Sequence, residues 1–360
     1  MTDDPLVSLD DVSVEFTSGE GMLDLFSEPE RVRAVDGVSL DLYENETVAL
    51  VGESGCGKST LGRTAIGVQR PTSGTVSFRG QDVWAAKDDG TGSIPFEQIR
   101  RSLQMIHQDP SSSLNPNQRI LTSLDLPVER WYPDLTREER HRRIYSLLEH
   151  VGLDPASDFA NRFPHQLSGG EQQRVALIRT LLINPELILA DEAISALDVS
   201  LRVEMMDLML ELQDIFQTSY IFISHNLANA KYITEKSGGR IAVMYLGKVV
   251  EVGPVSEVVE NPSHPYTQAL KWATPELYDD ESDSEFPLRR IDVPDPDDTP
   301  AGCRFHPRCG EAREVCRARE PTQYPVNGDE HTTRCYRADE SHEYWQSEEL
   351  SAADDWEVFD

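Results

Sequence analysis

The sequence predicts an α/β fold with a mixed sheet core, an antiparallel β subdomain, a helical subdomain and a small Cys-containing appendage at the C-terminus. Three observations support this prediction. A glycine-rich loop stands between a short apolar strand and a helix, further apolar strands alternate with helical segments up to residue 272, and the composition changes sharply after it. With 360 residues, the chain suffices for one large domain and a smaller unit, since single cores seldom grow past roughly 250–300 residues.

The first elements read as an antiparallel hairpin with a long inserted loop. Polar and apolar residues alternate from Leu6 to Phe16 and again from Val38 to Leu42, as in half-buried strands. Thr47 to Val51 is a short apolar strand that runs into glycines, and a helix-compatible stretch from Lys58 to Val68 follows. Strand, glycine loop and helix therefore stand in the order that a phosphate-binding site needs.

The middle of the main domain, which we place at residues 1–272, is mostly helical. From Asn115 to Ile183 apolar residues recur at three- and four-residue spacing, which predicts a helical subdomain at about 112–183. Leu187 to Ala190 and Tyr220 to Ile223 are short apolar runs of the kind buried in a parallel sheet.

Beyond Trp272 the chain predicts three further segments. Residues 273–300 are rich in Asp, Glu, Ser and Pro, and we expect an acidic linker there. Residues 301–336 carry four of the five cysteines and form the appendage. Residues 337–360 are expected to be a disordered acidic tail.

The charge excludes some classes of function. The formal net charge of -31 arises from 64 acidic and 33 basic residues, so a broad basic face for nucleic acid is not expected. In roughly 1 M salt the screening length falls to about 3 Å and such self-repulsion becomes local, which favours a salt-rich cytosol. The alternative is an ordinary acidic soluble protein.

Membrane targeting is not expected from the sequence itself. No run approaches the roughly 18 apolar residues of a membrane span, and Met1 to Asp4 do not begin a secretory signal. A membrane role would therefore need partner subunits that supply the spans.

Residues 52–59 fit the phosphate-loop pattern G-x-x-x-x-G-K-[ST]. Its glycines let successive backbone N–H groups surround phosphate oxygens at a helix N-terminus. In this interpretation Lys58 contacts the β- and γ-phosphates of ATP, Ser59 ligates Mg²⁺ and Thr60 helps to hold the α-phosphate. The alternative is a glycine turn before an ordinary helix. The predicted nucleotide-binding residues here are Gly52, Glu53, Ser54, Gly55, Cys56, Gly57, Lys58, Ser59 and Thr60.

A second apolar strand, Leu187 to Ala190, ends in two carboxylates. In nucleotide hydrolases such a pair divides the work, so Asp191 is expected to hold Mg²⁺ and Glu192 to polarise the attacking water as general base. Taken alone, a buried strand capped by acids is a common structural feature.

Residues 167–172, LSGGEQ, resemble the signature motif of ABC ATPases. A Ser-capped helix start is the local interpretation and is compatible with this one. ABC ATPases work as head-to-tail dimers, so the resemblance implies that Ser168, Gly169 and Gly170 meet the γ-phosphate held by the opposite subunit. One chain alone should then hydrolyse ATP poorly.

Other motifs of this family follow in the expected order. Gln108 resembles the glutamine that reaches Mg²⁺ and the lytic water, Asp198 belongs to the interface loop SALD, and His225 resembles the switch histidine that holds the γ-phosphate. Phe16 is the candidate for stacking on adenine, with a core aromatic at the end of the first strand as its alternative.

The sequence departs from the family pattern at three places. Ala193 and Ile194 follow Glu192 where proline usually comes next, Asn226 stands where Asp is frequent, and His107 stands where Phe is common. None of these changes removes a predicted catalytic group, so we expect activity to survive.

Four segments narrow the resemblance to the ATP-binding subunits of oligopeptide and dipeptide importers, in a salt-adapted form of the second-subunit type. They are the insertion between Phe16 and Ala34 and the runs at 108–116, 261–267 and 303–309. The resemblance implies an ATP hydrolase at the cytoplasmic face of the cell membrane. Its implied partners are two permease subunits, a second homologous ATPase subunit or a second copy, and indirectly an extracellular substrate-binding protein. Motors for nickel or oligosaccharides, a soluble ABC ATPase of DNA repair or translation, and a metal-sensing regulator remain alternatives.

Cys303, Cys309, Cys316 and Cys335 are expected to bind a soft metal, because a reduced compartment disfavours structural disulfides. Five, six and eighteen residues separate successive cysteines, unlike the tight C-x₂-C pairs of structural zinc sites. Similarity to peptide importers points to a [4Fe–4S] cluster. Zn²⁺ and the absence of any metal remain open.

Overall fold

A computed structural model describes residues 4–18, 30–109, 114–277, 288–295, 299–326, 328 and 330–350. The described strands are β1 (Val7–Ser18), β2 (Glu30–Leu42), β3 (Thr47–Val51), β4 (Ser73–Phe78), β5 (Gln81–Asp82), β6 (Leu103–Ile106), β7 (Leu187–Asp191), β8 (Ser219–Ser224), β9 (Arg240–Tyr245), β10 (Lys248–Pro254), β11 (Tyr324–Pro325) and β12 (Thr332–Thr333). The described helices are α1 (Lys58–Ala65), α2 (Val83–Asp88), α3 (Phe96–Ser102), α4 (Ile120–Trp131), α5 (Arg137–His150), α6 (Ala156–Asn161), α7 (Gly169–Leu181), α8 (Val199–Phe216), α9 (Leu227–Ser237), α10 (Pro265–Trp272) and α11 (Glu314–Ala318).

Two sheets organise these elements and confirm the predicted α/β class. An antiparallel sheet has the order β2-β1-β4-β5, and a mixed sheet has the order β11-β12-β10-β9-β3-β8-β7-β6. From β9 to β6 the pairs of the mixed sheet are parallel. The predicted hairpin is the β1–β2 pair.

Strand β3 lies at the centre of the mixed sheet and is buried on both faces. Its side chains alternate between two cores, because successive residues of a strand point to opposite faces. Val48 and Leu50 pack in the core beneath the antiparallel sheet, whereas Ala49 and Val51 pack in the core shared with the helical segment. Burial on both faces explains why the strand reads as an unbroken apolar run.

The Cys-containing appendage is joined to the main sheet. Strand β12 pairs with β10, through Glu251 opposite Thr333 and Val252 opposite Thr332, and β11 pairs with β12. The segment expected to be a linker also contributes, since Leu288 forms an isolated β-bridge with Cys309.

The prediction of a disordered acidic tail is wrong for residues 337–350. Tyr344 and Leu350 are buried there at 3% and 4% exposure. The Tyr344 hydroxyl donates to the Glu311 carbonyl at 2.7 Å, and Leu350 N donates to the Ala312 carbonyl at 3.0 Å. These two apolar anchors outweigh the acidic composition on which the expectation rested, so the appendage continues at least to Leu350. Residues 351–360 lie outside the described residues, as do 19–29 of the long insertion and 110–113 of the run that follows Gln108.

Within the described residues, every helix is too short or too polar to span a membrane.

Candidate functional site

The phosphate loop connects β3 to α1, and its shape requires glycine at two positions. Gly52 has φ +154° and Gly57 has φ +103°. A Cβ atom at Gly52 would lie 2.1 Å from the Met244 carbonyl oxygen, and one at Gly57 would lie 2.0 Å from that of Ala34. Backbone therefore approaches both glycines more closely than any side chain permits.

Lys58 is buried and its side chain lies against its own loop. Its Nζ donates to the carbonyl oxygens of Gly52 and Glu53 at 2.8 and 2.9 Å. The neighbouring thiol of Cys56 is 3.8 Å from Nζ, and burial raises the pKa of this thiol. These contacts hold an ammonium group at the centre of the loop, while burial keeps the Cys56 thiol protonated.

Two of the three predicted magnesium ligands, Ser59 and Asp191, are in direct contact. Ser59 Oγ donates to Asp191 Oδ1 at 2.6 Å. Mg²⁺ usually binds one or two protein oxygens together with substrate phosphates and water, so this pair of oxygen ligands fits the ion. Arg63, which sequence reasoning missed, contacts the other oxygen of Asp191 at 3.1 Å. Its position four residues after Ser59 places it on the same helix face, and that spacing was a usable signal.

Glu192, Gln108 and His225 converge at the carboxyl end of the sheet. Gln108 Nε2 donates to Glu192 Oε2 at 3.3 Å, and His225 Nδ1 lies 3.6 Å from Glu192 Oε1. Glu192 has φ +50°, a backbone state that is costly for a residue with a side chain and that concentrates at functional sites. Ser195 Oγ donates to the Glu192 carbonyl at 2.8 Å. The arrangement can orient a water molecule beside a carboxylate.

The signature segment forms a capped helix start. Ser168 is the N-cap of α7: its N–H donates to Glu171 Oε2 at 2.6 Å, and its Oγ accepts from Glu171 N at 3.3 Å. Asp198 caps α8 in the same way, accepting from Leu201 N at 3.0 Å. Ser168, Gly169 and Asp198 are all exposed. The sequence-based interpretation as a Ser-capped helix describes the local structure of this motif.

Phe16 is 44% exposed, so its side chain is not the core aromatic that was its alternative. It pairs with Val32 across the β1–β2 hairpin, two residues from Ala34. Ala34 in turn touches Gly57 of the phosphate loop. Phe16 therefore lies at the end of the antiparallel sheet that adjoins this loop, and stacking on adenine stays a prediction.

Two of the departures from the family pattern make defined contacts. Asn226 caps α9, accepting from Ala228 N at 2.7 Å and from Asn229 N at 3.4 Å. Asn and Asp are equally good N-caps, which explains how Asn serves here. The Ala193 carbonyl accepts from the amide group of Gln173. His107 is exposed.

The four appendage thiols line one cavity, together with Phe305 and Tyr344. All four cysteines are free. Burial raises the pKa of Cys309 to about 12 and that of Cys335 to about 11, with the neighbouring thiols adding to both shifts. The thiols are therefore protonated at neutral pH unless a metal displaces the protons. In the part of the chain that the structure describes, no three His, Cys, Asp or Glu side chains converge closely enough to hold one metal ion.

The comparisons with known proteins agree with the fold. Residues 35–195 match the ABC transporter family, and residues 250–316 match the C-terminal region of oligopeptide/dipeptide transporters. The chain is 40% identical over 316 residues to the di/tripeptide transport ATP-binding protein DppF of Pseudomonas aeruginosa, covering 88% of this chain and 93% of the relative. It is 39% identical over 336 residues to the oligopeptide transport ATP-binding protein OppF of Salmonella typhimurium, covering 93% and 96%.

Solved structures give the same fold. The dimeric structure of MJ0796, a bacterial ABC transporter cassette, is similar with a TM-score of 0.57 and 29% identity, covering 69% of this chain and 98% of that one. A likeness to cbiO1 of Clostridium perfringens, at 22% identity and a TM-score of 0.59, covers 72% of this chain and 92% of that one and bears on the fold alone. The chain therefore belongs to the ATP-binding, ATP-hydrolysing subunits of the oligopeptide/dipeptide branch of ABC transporters.

Proposed function

We propose that this chain powers the import of oligopeptides or dipeptides, by closing head to tail with a second ATPase subunit and moving two membrane permease subunits. The observation that carries the cargo class is the match of residues 250–316 to the C-terminal region of oligopeptide/dipeptide transporters. The cytoplasmic face of the cell membrane is the corresponding location. An extracellular substrate-binding protein would deliver the cargo.

The chemistry follows from the contacts around Glu192. Lys58 would exchange its two loop carbonyls for the β- and γ-phosphates, and Ser59 and Asp191 would hold Mg²⁺, which neutralises charge on those phosphates when bound. Glu192 would accept a proton from the attacking water as general base, with Gln108 orienting that water and His225 holding the γ-phosphate.

The signature glycines support the composite site. A Cβ atom at Gly169 would meet nothing within 4 Å, and one at Gly170 would lie 3.7 Å from the nearest atom, a Leu201 methyl. Neither glycine has a positive φ. Nothing in the described part of this chain therefore demands glycine there, whereas close approach of a phosphate from another subunit does. Val199, 74% exposed beside Asp198, fits burial at the same interface.

The permease would dock on the helical segment between Gln108 and Ser168. A groove of about 660 Å³ at the edge of this segment is lined by Leu126 and Trp131 from it and by Met105 and His107 from the end of β6. Leu126 is 51% exposed, and an exposed apolar side chain of this size in a groove suits a helix from a partner.

Reconstitution tests this proposal. The chain is co-expressed with the permease and ATPase genes beside it, the complex is placed in liposomes, and ATPase is measured with the binding protein and different cargoes. Stimulation by peptide-loaded binding protein, and by no other cargo, is expected. Stimulation by nickel or oligosaccharide would change the cargo, and stimulation by DNA or ribosomes without permease would overturn transport. Activity of a complex in which this chain is the sole kind of ATPase subunit would show that the ATPase pair is a homodimer. A requirement for a second kind of ATPase subunit would show a heterodimer.

We further propose that the four appendage thiolates hold a [4Fe–4S] cluster rather than Zn²⁺. Four free thiols around one cavity supply the donor set. The test is anaerobic purification with iron, sulfide and zinc analysis. We expect absorption near 400 nm that is lost in Cys309→Ser and retained in the control Cys56→Ser. A colourless, zinc-loaded protein would contradict the cluster.

The net charge of -31 supports a working environment rich in salt. Screening of like charges by molar KCl should raise the melting temperature. A melting temperature that stays level between 0.1 and 3 M KCl, roughly 10 Å and under 3 Å of screening length, would favour an ordinary acidic protein.

A further inference from the structure

The loop between Cys303 and Cys309 is packed against the back of the ATP site. Phe305, 1% exposed, packs against a pair of contacting tyrosines of the main domain, with ring centroids 5.2 Å from Tyr245 and 5.4 Å from Tyr266. This packing fixes the loop on the main domain and aims the next basic side chain, Arg308, at the phosphate loop.

Arg308 forms a two-point ion pair with Glu53 of the phosphate loop. Its Nη1 lies 2.8 Å from Glu53 Oε2 and its Nη2 lies 2.9 Å from Oε1. The Arg308 side chain is 5% exposed and that of Glu53 is 30% exposed. Paired guanidinium–carboxylate bonds of this kind fix orientation as well as distance, which a lysine does not reproduce.

The main chain of Glu53 is held from the same side. Glu53 N donates to the hydroxyl of Tyr266 at 2.8 Å. The Glu53 carbonyl accepts from Lys58 Nζ at 2.9 Å and from Cys56 N at 3.3 Å. Glu53 thus connects Arg308 and Tyr266 to the ammonium group of Lys58, which is expected to hold the γ-phosphate.

Ser54 and Gly55, on the opposite side of the loop, are exposed. Residues 53–56 line a cleft of about 370 Å³ that extends to Pro294 and Asp295. Apart from the Glu53 contacts, the loop is tied there by the bond from Gly247 N to the Cys56 carbonyl at 2.9 Å. The conformation of residues 53–55 therefore depends on what holds Glu53.

We propose that Arg308 is a positioning residue for ATP binding: together with Tyr266 it holds Glu53 so that the phosphate loop keeps its nucleotide-ready shape, and the Cys-containing appendage thereby sets the affinity for ATP. This inference rests on the ATPase assignment and not on the cargo. It also gives the appendage a role in ATP binding. The thiol site adjoins Arg308, because Cys309 is the next residue in the chain.

The test is a double-mutant cycle in the full-length chain, with Arg308→Ala, Glu53→Gln and both together. The affinity for ATP is measured by fluorescent-nucleotide competition with magnesium, and KM and kcat are measured beside it. Arg308→Ala is expected to raise both Kd and KM about 10-fold and to change kcat less than about twofold, because the loop affects binding rather than the attacking water. Arg308→Lys should recover only part of the affinity, and the double variant should bind no worse than the weaker single one.

Arg304→Ala is the matched control. Arg304 lies in the same loop, is buried to a similar degree, and ties the appendage to Asp36 and to the Leu246 carbonyl. It reaches the phosphate loop only indirectly, because the Gly247 N–H of that same peptide donates to the Cys56 carbonyl. Its loss should loosen the appendage and leave the affinity for ATP within about twofold of wild type. Equal losses in Arg304→Ala and Arg308→Ala would show that docking of the whole appendage matters and would overturn the specific role of Arg308.

Tyr266→Phe covers the case in which Arg308→Ala fails to fold, since it removes a single oxygen atom. It should weaken ATP binding in the same direction, because the partly buried Glu53 amide loses its acceptor. Wild-type affinity in both Arg308→Ala and Tyr266→Phe would overturn the inference and leave the ATPase assignment intact. A wild-type chain that bound no ATP would overturn both the inference on Arg308 and the ATPase assignment.

Discussion

The molecule contains two glycine-rich segments that face phosphate in the proposed mechanism, and they are built differently. In the phosphate loop, Cβ atoms at Gly52 and Gly57 would collide with carbonyl oxygens of this same chain at 2.1 and 2.0 Å. In the signature segment, a Cβ atom at Gly169 would meet nothing within 4 Å. The first glycines are required by the fold, whereas in the described part of this chain nothing requires the second, which suits contact with another subunit.

This difference separates binding from turnover. The phosphate loop, Lys58 and the Ser59–Asp191 pair are complete within one chain, so a single chain should bind ATP and Mg²⁺. The N-terminal end of the signature helix is capped, but its Ser168 and Gly169 are exposed, so hydrolysis should need a second subunit. Variants of the phosphate loop should therefore lose ATP binding, whereas variants of the signature segment should lose turnover.

The largest effect is expected from Glu192→Gln. The amide keeps the size of the side chain and its contacts with Gln108 and His225 but cannot accept the proton of the attacking water, so turnover should fall by about 10²–10⁴. ATP should still bind, and the paired state should accumulate because it can no longer be resolved by hydrolysis. Steady-state ATPase and size-exclusion light scattering with ATP measure the two consequences.

Glu149→Gln serves as control for this variant, since Glu149 is an exposed carboxylate on α5. It should leave both readouts unchanged. Wild-type turnover in Glu192→Gln would remove Glu192 from the role of base.

Gly57→Ala should produce the next largest loss, and it should be a loss of binding. Its φ of +103° strains any side chain, and the added methyl would meet the Ala34 carbonyl. Strain of about 1–3 kcal/mol corresponds to roughly 5- to 150-fold in affinity. Isothermal titration with ATP and magnesium checks this expectation, and an unchanged affinity would show that the loop tolerates the strain.

Gly169→Ala is the opposite case and should lose turnover without losing binding. The methyl group enters open space, and alanine favours helix over glycine by up to about 1 kcal/mol. The melting temperature and the affinity of the isolated chain for ATP should therefore stay at or slightly above wild type. Turnover of the paired enzyme should fall about 10-fold, because the methyl would separate the signature from the γ-phosphate by roughly one carbon radius. Wild-type turnover in Gly169→Ala would show that the signature segment does not need glycine for contact with the γ-phosphate.

The sequence predicted the parts of this site that lie in one continuous run. Strand β3, the loop and the start of α1 follow one another, so periodicity and glycine spacing located them at the correct residues. Gln108, Glu192 and His225 are separated by more than thirty residues each, and it was their order along a known family pattern, not their spacing, that grouped them. Their convergence is set by the parallel pairing of β6, β7 and β8.

Contacts between distant segments could not be predicted. Arg308 and Glu53 are 255 positions apart, and neither residue carries a pattern that names its partner. The tail expectation failed for a related reason, since composition averages over residues while Tyr344 and Leu350 act singly as anchors. Arg63 is the exception, because its helical spacing from Ser59 was readable in advance.

The last expected effect is on stability rather than on ATP, and it concerns the residues packed behind the phosphate loop. His264 caps α10, accepting from Tyr266 N at 3.0 Å, and burial lowers its pKa from 6.5 to about 4. Below pH 6.5 the unfolded chain takes up a proton at His264 that the folded chain refuses, so stability is lost as the pH falls towards 4. Between pH 7 and pH 5 this amounts to about 2 kcal/mol. His264→Asn keeps a capping acceptor that does not titrate, and thermal unfolding at both pH values should show a smaller acid-induced drop in this variant than in wild type. Equal drops would mean that other groups carry the acid sensitivity and that His264 is protonated in the folded chain without penalty.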